Sequence, residues 1–400
     1  MDRTQVIVAG AGPTGAVAAY ALARRGIDVT LMEAHPEPQE DMRASTFHPP
    51  TLEMLEALGL REALEAQGLR APVYQYRNRR SGEVLSFDLT EVTDVLRYPY
   101  RLQCEQYKLS RLVAGLLASH PHGRILQGHR VIAVEQDGAG VTVTAETGHE
   151  TIRLRADYLI AADGAGSTIR KATGIPFDGF TYPEKFLTLS TAYPAERHFS
   201  DLAHVSYIAD QSEWCVLLRV PTLWRVLVPA SADEPDEALR SDEKRRQVFG
   251  GLFGDAGRDA DTHHRTVYRV HQRVARTFRQ GRILLAGDAA HLNNPLGGLG
   301  MNAGIHDAVN LVAKLAPILQ EDGDAELLLD RYDRQRRTVI HDFVQRQTKA
   351  NKQAMEAGSQ EAQRLGQARM AAILADEAAR RDYLLQQSMH TSLQQERAIL

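Results

Sequence analysis

Three glycines and an acidic residue near the N-terminus have the types and spacing that dinucleotide binding requires. Gly10, Gly12 and Gly15 form a GxGxxG pattern, and Glu33 lies 23 positions after the first of them. The first glycine allows a tight turn, the second lets backbone N–H groups approach a pyrophosphate, and the third lets a helix pack closely on a strand. An acid at this spacing can accept hydrogen bonds from ribose hydroxyls. The other residues of the loop that we expect to contact the ligand are Pro13 and Thr14.

The segments around these residues have the patterns of a strand–helix–strand unit. Residues 6–9 are short, apolar and largely β-branched, which indicates a strand buried on both faces. The alanine-rich stretch 16–23 predicts a helix that ends before Gly26, and residues 29–32 predict the second strand. A glycine pattern alone is a weak signal, but its place between this strand and this helix favours dinucleotide binding over an ordinary turn.

Two later segments repeat the arrangement of an apolar strand that ends in a turn of glycine and aspartate. Residues 157–162 lead into a DG turn that begins at Asp163, and residues 282–286 lead into a GD turn that contains Asp288. A carboxylate at the end of a strand can accept hydrogen bonds from sugar hydroxyls, and neighbouring glycines let a ligand approach the backbone. Both turns therefore predict further contacts to the same ligand.

Taken in this order, the GxGxxG loop with its acid, the DG turn and the GD turn resemble the group A FAD-dependent monooxygenases, which include the para-hydroxybenzoate hydroxylase-like aromatic hydroxylases. The resemblance covers roughly residues 1–315. It implies an α/β fold with a Rossmann-like FAD-binding domain, an inserted antiparallel β-sheet domain for the substrate and a helical C-terminal tail. It implies FAD as the resident cofactor and NAD(P)H as a transient co-substrate. It also implies that a flavin hydroperoxide transfers one oxygen atom to a phenolic or hydroxylated heteroaromatic ring.

The resemblance assigns FAD-binding roles to individual positions. Glu33 matches the acid that binds the FAD ribose, and Asp288 matches the aspartate that contacts the ribityl chain. Arg43 matches an arginine near the FAD phosphates and NAD(P)H, Gln106 a glutamine that binds FAD, and Asp163 an aspartate that serves both cofactors. The residues after the GD turn, at a helix N-terminus that faces the pyrimidine edge of the flavin and favours negative charge there, are Pro295, Gly298, Leu299, Gly300, Met301 and Asn302.

The same resemblance, together with the pattern of the intervening segments, divides the chain into three parts. The expected FAD-binding domain comprises residues 1–72, 101–178 and 268–326, the substrate-binding β-sheet domain comprises 73–100 and 179–267, and the C-terminal helical region comprises 327–400. Strand-like runs at 204–208, 214–220 and 224–229 support the sheet. The C-terminal region is rich in Ala, Leu, Gln, Arg and Glu at helical spacing, and we expect it to pack against the body of a monomer or to contact a second copy in a homodimer.

Five residues on the expected sheet are candidates for contact with an aromatic substrate. Alternation along a strand sends Trp214 and Arg219 to opposite faces, so at most one of that pair can face the flavin. No catalytic residue can be assigned from spacing, because the resemblance requires neither a nucleophile triad nor a metal. The five candidates are Tyr207, Trp214, Arg219, Trp224 and Arg225.

Composition and charge exclude several other classes of protein. The formal net charge of the 400-residue chain is −4, without a dense basic segment, which argues against nucleic acid as a partner. Its 2 cysteines have neither disulfide-framework nor zinc spacing, so we expect no metal and a reducing compartment. No apolar run approaches the length of a membrane span, and no signal peptide is evident. These observations predict a cytoplasmic protein.

Three alternatives to the hydroxylase remain open at this point. An FAD-dependent reductase of the same fold would transfer hydride, for example to a quinone or a prenyl chain, without inserting oxygen. A flavin-dependent halogenase is disfavoured because the WxWxIP pattern of that group is absent. A flavin-binding redox sensor would use the helical tail as an interface with a partner protein.

Overall fold

The computed structural model describes residues 2–40, 42–148, 150–210, 214–356 and 360–400. The helices are α1 (Pro13–Ala23), α2 (Pro49–Ala57), α3 (Arg61–Glu65), α4 (Gln106–Ala118), α5 (Thr168–Ala172), α6 (Asp236–Leu239), α7 (Asp242–Gly257), α8 (Leu299–Gln320), α9 (Ala325–Val339), α10 (Arg346–Met355), α11 (Gln360–Ala375), α12 (Glu377–Gln387) and α13 (His390–Ala398). Among these described helices, none combines the length and apolar character needed to cross a membrane.

The strands form two large sheets and one small one. They are β1 (Asp2–Ala9), β2 (Val29–Glu33), β3 (Thr46–Phe47), β4 (Leu69–Ala71), β5 (Val73–Asn78), β6 (Val84–Asp88), β7 (Arg101–Gln103), β8 (Gly123–Gln127), β9 (Arg130–Asp137), β10 (Gly140–Glu146), β11 (Thr151–Ala161), β12 (Phe177–Thr191), β13 (Val205–Ala209), β14 (Cys215–Arg219), β15 (Trp224–Ser231), β16 (His264–Ala275), β17 (Arg279–Gln280), β18 (Ile283–Leu285) and β19 (His291–Leu292).

The first sheet has the order β17-β18-β11-β1-β2-β8 and is parallel from β18 to β8. Strand β10 also pairs with β11, and β9 pairs with β10. The central strand residues Val6, Ile7 and Ile160 are fully buried in a core formed with α1, α4 and α8 and with β9 and β10. The chain leaves β1 in one direction toward β2, while β11 lies on the other side of β1, which makes β1 a topological switch point. The loops after β1, β11 and β18 therefore meet at one edge of the sheet, where ligands bind in folds of this kind.

The second sheet has the order β19-β16-β12-β15-β14-β13-β5-β6 and is antiparallel except for the parallel pair β13 and β5. One face packs on a cluster that includes Phe186, Tyr207 and Leu384, and the other face packs on α7 through Phe249 and Phe253. Strands β12 and β16 run across the expected domain boundaries at 178/179 and 267/268. This sheet therefore draws on residues from both sides of those boundaries, and the division into domains stays a prediction.

The C-terminal region is helical, as the sequence predicts. A π-helical turn over Ile340–Gln345 joins α9 to α10, and α12 and α13 return along the body of the protein. Leu384 belongs to the apolar cluster beside the second sheet, whereas Met389 belongs to the core of the first. The tail thus packs against both halves of the chain. A small sheet of order β3-β7-β4 carries residues of the candidate site. In sequence, β3 and β4 follow β2 of the first sheet, and β7 follows β6 of the second.

Candidate active site

A cavity of about 710 Å³ lies at the carboxyl edge of the first sheet and continues along one face of the second. This volume falls within the range of small-molecule and cofactor sites. The predicted FAD-contacting residues that line it are Gly10, Gly12, Pro13, Thr14, Glu33, Arg43, Gln106, Asp163, Asp288, Pro295, Gly298, Leu299, Gly300 and Met301. Gly15 and Asn302 do not line the cavity, because both are buried behind its wall.

The three glycines of the first loop have different surroundings. A Cβ built on Gly10 would lie 2.3 Å from the carbonyl oxygen of Ala162, and this residue also has a φ of +97°. A Cβ on Gly15 would lie 1.9 Å from the carbonyl oxygen of Gly10. A Cβ on Gly12 meets nothing within 4 Å, so the space in front of this residue is open. Gly10 and Gly15 are therefore required for packing, whereas Gly12 keeps a space free for a ligand at the N-terminus of α1.

Glu33 connects the end of β2 to the glycine-rich loop. Its Oε2 accepts a hydrogen bond of 2.8 Å from the backbone N–H of Ala11, and its Oε1 accepts one of 2.9 Å from the backbone N–H of His35. Each carboxylate oxygen can accept more than one hydrogen bond. The side chain can therefore bind a ribose hydroxyl while it also holds the loop in shape.

Asp163 is engaged mainly within its own turn. Its Oδ1 accepts a hydrogen bond of 2.6 Å from Ser167 Oγ, and its Oδ2 accepts one of 3.2 Å from the backbone N–H of Ile169. The buried Arg170 that follows donates to the carbonyl oxygen of Ala289 at 2.8 Å. The DG turn is thus fastened to the GD turn, and Asp163 lines the cavity from this braced position.

Asp288 is exposed at the cavity, and the glycine before it is tightly enclosed. A Cβ on Gly287 would lie 2.6 Å from Thr14 Oγ1, and one on Gly304 would lie 2.3 Å from the same atom. Thr14 thereby packs the first loop against the GD turn and the start of α8. This contact brings Asp288 to the same cavity as the glycine-rich loop, although Asp288 lies 273 positions after Gly15 in sequence.

A buried ionic network supports the GD turn from behind. Asp307 on α8 is fully buried, and its Oδ2 accepts hydrogen bonds from the backbone N–H of Gly287 at 3.0 Å and from His291 Nε2 at 2.7 Å. Its Oδ1 accepts one of 2.6 Å from Arg336 Nε, and Arg336 also pairs with Glu396. Burial alone would raise the pKa of Asp307, but His291 and Arg336 lower it to about 2. The C-terminal helices are thereby coupled to the turn that carries Asp288.

The N-terminus of α8 contributes the wall opposite the glycine-rich loop. The helix begins after Gly298, whose φ of +68° favours glycine at this position. Asn302 donates to the carbonyl oxygens of Thr46 at 2.8 Å and Gly298 at 2.7 Å, and its Oδ1 accepts a hydrogen bond of 2.9 Å from the backbone N–H of His48. The side chain of Asn302 thus ties β3 to the helix start, and its contacts give it a positioning role.

Arg43 and Gln106 line the cavity between its two ends. The backbone N–H of Gln106 donates to the carbonyl oxygen of Ala44 at 3.0 Å, which places the start of α4 beside the segment that carries Arg43. The carbonyl oxygen of Arg43 in turn accepts a hydrogen bond of 3.3 Å from Arg225 on β15. This segment therefore joins the part of the cavity at the first sheet to the part at the second.

Two of the five substrate candidates line the cavity, namely Tyr207 and Arg225. The ring of Tyr207 stacks on that of Tyr76 with centroids 5.0 Å apart. Arg225 is buried and donates from Nη1 to Ser45 Oγ at 2.8 Å. Both residues project from the face of the second sheet that meets the first.

The other three candidates do not line the cavity, because the pleat or neighbouring packing directs them elsewhere. Trp224 packs in the cluster on the α7 face and donates from Nε1 to Glu196 at 2.7 Å, and the guanidinium of Arg219 lies 5.5 Å from the centre of its indole ring. Trp214 lies on the cavity side of the sheet but packs edge-on against Phe186, with ring centroids 5.6 Å apart. A direct substrate contact is therefore not supported for Trp214, Arg219 or Trp224.

Several lining residues escaped the sequence analysis, above all Arg101 on β7 and Tyr268 on β16. Arg101 lies far in sequence from the other sheet residues, and nothing in its neighbours marks it. Tyr268 stands in a strand that alternates regularly, so a closer reading of that alternation could have found it. The remaining apolar lining near them comprises Val205, Val216, Leu218, Leu227, Val270 and Leu296.

Two titratable side chains near this apolar part of the cavity, Tyr268 and His48, are neutral. Burial raises the pKa of Tyr268 to about 12, so its phenol keeps its proton at neutral pH. Burial, with the nearby charge of Arg101, holds the pKa of His48 well below its usual value. His48 Nε2 lies 2.8 Å from the carbonyl oxygen of Gly297, which makes Nε2 the protonated nitrogen of a neutral ring.

This combination of fold and site defines a dinucleotide-binding flavoprotein. A parallel sheet presents a glycine-rich loop, the acid Glu33 and a strand-end aspartate to one cavity, and an antiparallel sheet supplies an aromatic wall to the same cavity. The family model described as "FAD binding domain" matches residues 3–347. The chain belongs to this family, the group A FAD-dependent aromatic monooxygenases, and is therefore an oxidoreductase.

Curated relatives agree with this assignment. The chain is 34% identical over 351 residues to para-nitrophenol 4-monooxygenase of Pseudomonas sp. (strain WBC-3), with 86% of each chain covered. It is 30% identical over 345 residues to 6-hydroxy-3-succinoylpyridine 3-monooxygenase of Pseudomonas putida, again with 86% of each covered.

Solved structures share the fold over nearly the whole chain. The p-nitrophenol 4-monooxygenase of Pseudomonas putida DLL-E4 superposes with a TM-score of 0.91 at 29% identity and covers 97% of this chain and 99% of its own. The complex of aklavinone-11 hydroxylase with FAD and aklavinone superposes with a TM-score of 0.77 at 26% identity, over 89% of this chain and 69% of its own.

Proposed function

We propose that this protein is an NAD(P)H-dependent FAD monooxygenase that hydroxylates a phenolic or hydroxylated heteroaromatic small molecule. The observation that carries the proposal is the continuity of the cavity. One end is formed by the glycine-rich loop and the strand-end acids, and the other by aromatic and aliphatic side chains of the second sheet. A cofactor in the first end and a ring in the second would lie against each other.

The residues at the first end fit FAD. Gly12 leaves room for a pyrophosphate at the N-terminus of α1, Glu33 can accept from a ribose, and Asp288 can accept from a sugar-alcohol chain. When bound, FAD would supply the redox chemistry that takes hydride from NAD(P)H and delivers one atom of dioxygen to the ring. The N-terminus of α8 would favour negative charge on the cofactor beside Leu299 to Met301.

The residues at the second end would position the ring and exclude water. Val216, Leu227 and Leu296 present apolar surface, and Tyr207 presents an aromatic edge or face. Tyr268 keeps its proton and can therefore donate a hydrogen bond to a ring substituent. Exclusion of water matters because water in the cavity would divert the oxygen to peroxide.

The named relatives support the class of ring. The names of these relatives include a nitrophenol and a hydroxypyridine. Both rings carry a hydroxyl group, which supplies the electron density that electrophilic oxygen transfer requires. We therefore place the substrate of this chain among hydroxylated aromatic rings.

The test uses the purified protein with its bound flavin. Its absorption spectrum is recorded, and oxidation of NADPH and of NADH is then followed with and without a panel of phenols and hydroxypyridines, with peroxide measured in parallel. We expect flavin bands, ring-stimulated oxidation with little peroxide, and one atom of ¹⁸O₂ in the product. Ring reduction or quinone reduction without ¹⁸O would instead support the hydride-transferring reductase and contradict the proposal.

A further inference from the structure

Arg101 is a buried cation at the wall of the cavity. It stands on β7, its side chain is only 1% exposed, and it lines the same cavity as Tyr207 and Tyr268. Burial of a guanidinium is unfavourable unless hydrogen-bond acceptors and a negative charge compensate it. The identity of its partners therefore shows whether the protein itself compensates this charge.

The contacts that Arg101 makes within the protein are few and weak. Its Nη2 lies 3.5 Å from the carbonyl oxygen of Gln387, at the limit of a hydrogen bond, and its guanidinium lies 4.1 Å from the centre of the Tyr74 ring. Its Nε and Nη1 have no hydrogen-bond acceptor among the described residues. Burial holds the pKa of Tyr74 well above its usual value, so that ring supplies no negative charge.

Carboxylates are also missing from the surroundings of Arg101. In the described part of the chain, no Asp or Glu oxygen lies within the 4.0 Å that would make an ion pair with it. The acidic residues that line the cavity are Glu33, Asp163 and Asp288, and all three lie at or just beyond the ends of strands of the first sheet at the cofactor end. The end of the cavity beside the second sheet thus contains a cation that the protein leaves without a counter-charge.

A buried arginine of the second sheet shows the contrast. Arg77 on β5 donates from Nη1 to Gln75 at 2.8 Å and from Nη2 to the carbonyl oxygen of Ser200 at 2.9 Å. It does not line the cavity. Compensation by protein acceptors is therefore available to an arginine in this fold, and Arg101 is distinguished by having the cavity beside it.

We propose that Arg101 is a specificity-determining residue that binds an anionic oxygen substituent, a phenolate or a ring carboxylate, on the aromatic substrate. This inference rests on the proposed function for the presence of an aromatic ligand. Guanidinium N–H groups are suited to oxyanions because they combine a fixed positive charge with several donors. An oxyanion on the ring would supply the missing acceptor and counter-charge together, and it would fix the orientation of the ring against the cofactor.

The test measures binding without turnover. Oxidised, flavin-loaded protein is titrated by calorimetry at pH 8 with 4-nitrophenol, which is ionised at this pH, and with 4-nitroaniline, which has the same shape and no charge. We expect the wild-type protein to bind the phenolate more tightly. In Arg101→Met the Kd of the phenolate should rise about 10- to 100-fold, the value of one charge-assisted hydrogen bond, while the Kd of the aniline should change by less than about 3-fold. Arg101→Lys keeps the charge and should retain part of the preference.

Two further variants keep the test decisive. Arg77→Met removes a buried guanidinium outside the cavity and should alter neither Kd. Arg101→Gln replaces Arg101→Met if the latter does not retain flavin and a cooperative thermal transition.

An equal rise in the Kd of both ligands would show a structural role for Arg101 and overturn the inference. A wild-type protein with no preference for the phenolate would overturn it as well. Turnover of hydroxylated rings without such a preference would overturn the anion site and leave the proposed function standing. A preference for the phenolate without turnover of any hydroxylated ring would support the anion site and contradict the proposed function.

Discussion

Gly12 offers the sharpest test of the cofactor end of the cavity, because the apoprotein does not need the glycine there. Its backbone angles, φ −62° and ψ 173°, are accessible to any residue, and a Cβ at this position meets no atom within 4 Å. We therefore expect Gly12→Ala to change the free energy of unfolding of the apoprotein by no more than about 1 kcal/mol.

The effect on FAD should be much larger. The added methyl group would occupy the space through which the pyrophosphate approaches the N–H groups at the start of α1. Displacement of the phosphate would cost one or two charge-assisted hydrogen bonds, about 3 kcal/mol in all, and the Kd for FAD should rise about 100-fold.

The assay compares FAD binding by quenching of flavin fluorescence with urea unfolding of the apoprotein. Gly138→Ala is the matched control, since its Cβ is equally unobstructed and it lies in the turn between β9 and β10, away from the cavity. Gly15→Ala should lower both stability and FAD affinity, because its Cβ would lie 1.9 Å from the carbonyl oxygen of Gly10. Wild-type affinity for FAD in Gly12→Ala would refute the placement of the pyrophosphate.

Three other predictions follow from the residues behind and around the cavity. Asp307→Asn should lower the free energy of unfolding at pH 7 by about 3–5 kcal/mol, because it leaves Arg336 and His291 without their shared carboxylate. The control is Asp94→Asn, which removes an exposed ion pair with Arg381 and should leave the urea midpoint nearly unchanged. The pKa of Asp307 is about 2 in the folded protein. Its ionisation therefore stabilises the folded state by about 2 kcal/mol above the unfolded-state pKa near 4, and this contribution is lost as the pH falls through 2. Urea titrations between pH 5 and 2 should accordingly show a smaller decline in stability for the variant than for the wild type. Asp288→Ala should yield protein without yellow colour, and full flavin occupancy in that variant would contradict its assignment to the cofactor. Tyr268→Phe should leave the shape of the kcat/KM profile between pH 6 and 9 unchanged, because burial raises the pKa of this phenol to about 12, and a lost ionisation in that range would show that Tyr268 titrates.

The cofactor end of the site was largely predictable because its requirements are local. A tight turn, a close approach to phosphate and an acid at the end of the next strand each depend on a few consecutive residues, so the pattern from Gly10 to Glu33 is visible in sequence. The α/β fold class, the antiparallel second sheet and the helical C-terminal region were expected from the family resemblance together with the strand and helix patterns, and are confirmed. Membership in the flavoprotein family rests on three such local patterns in the right order.

Roles that depend on packing were less accessible. The resemblance places the backbone of Asn302 beside the cofactor, whereas the structure shows that its side chain bonds to Thr46, Gly298 and the backbone of His48. The coupling of Asp307 to Arg336 and Glu396 joins helices that are adjacent only after folding. Such contacts leave no periodic trace in a single sequence.

The aromatic end of the cavity shows most clearly what could not be predicted from the sequence alone. Alternation along β14 and β15 correctly separates neighbouring residues onto two faces, but the sequence does not say which face meets the cofactor. That choice depends on how the second sheet packs on the first, and it selects Tyr207 and Arg225 while it directs Trp224 toward α7. It also brings Arg101, from the small sheet, to the same wall. The sequence by itself thus determined the glycine-rich loop through short-range backbone requirements, and the family that its motifs resemble supplied FAD and the fold class. Only the tertiary structure decided which side chains line the aromatic end of the cavity, because that depends on the relative placement of separate sheets.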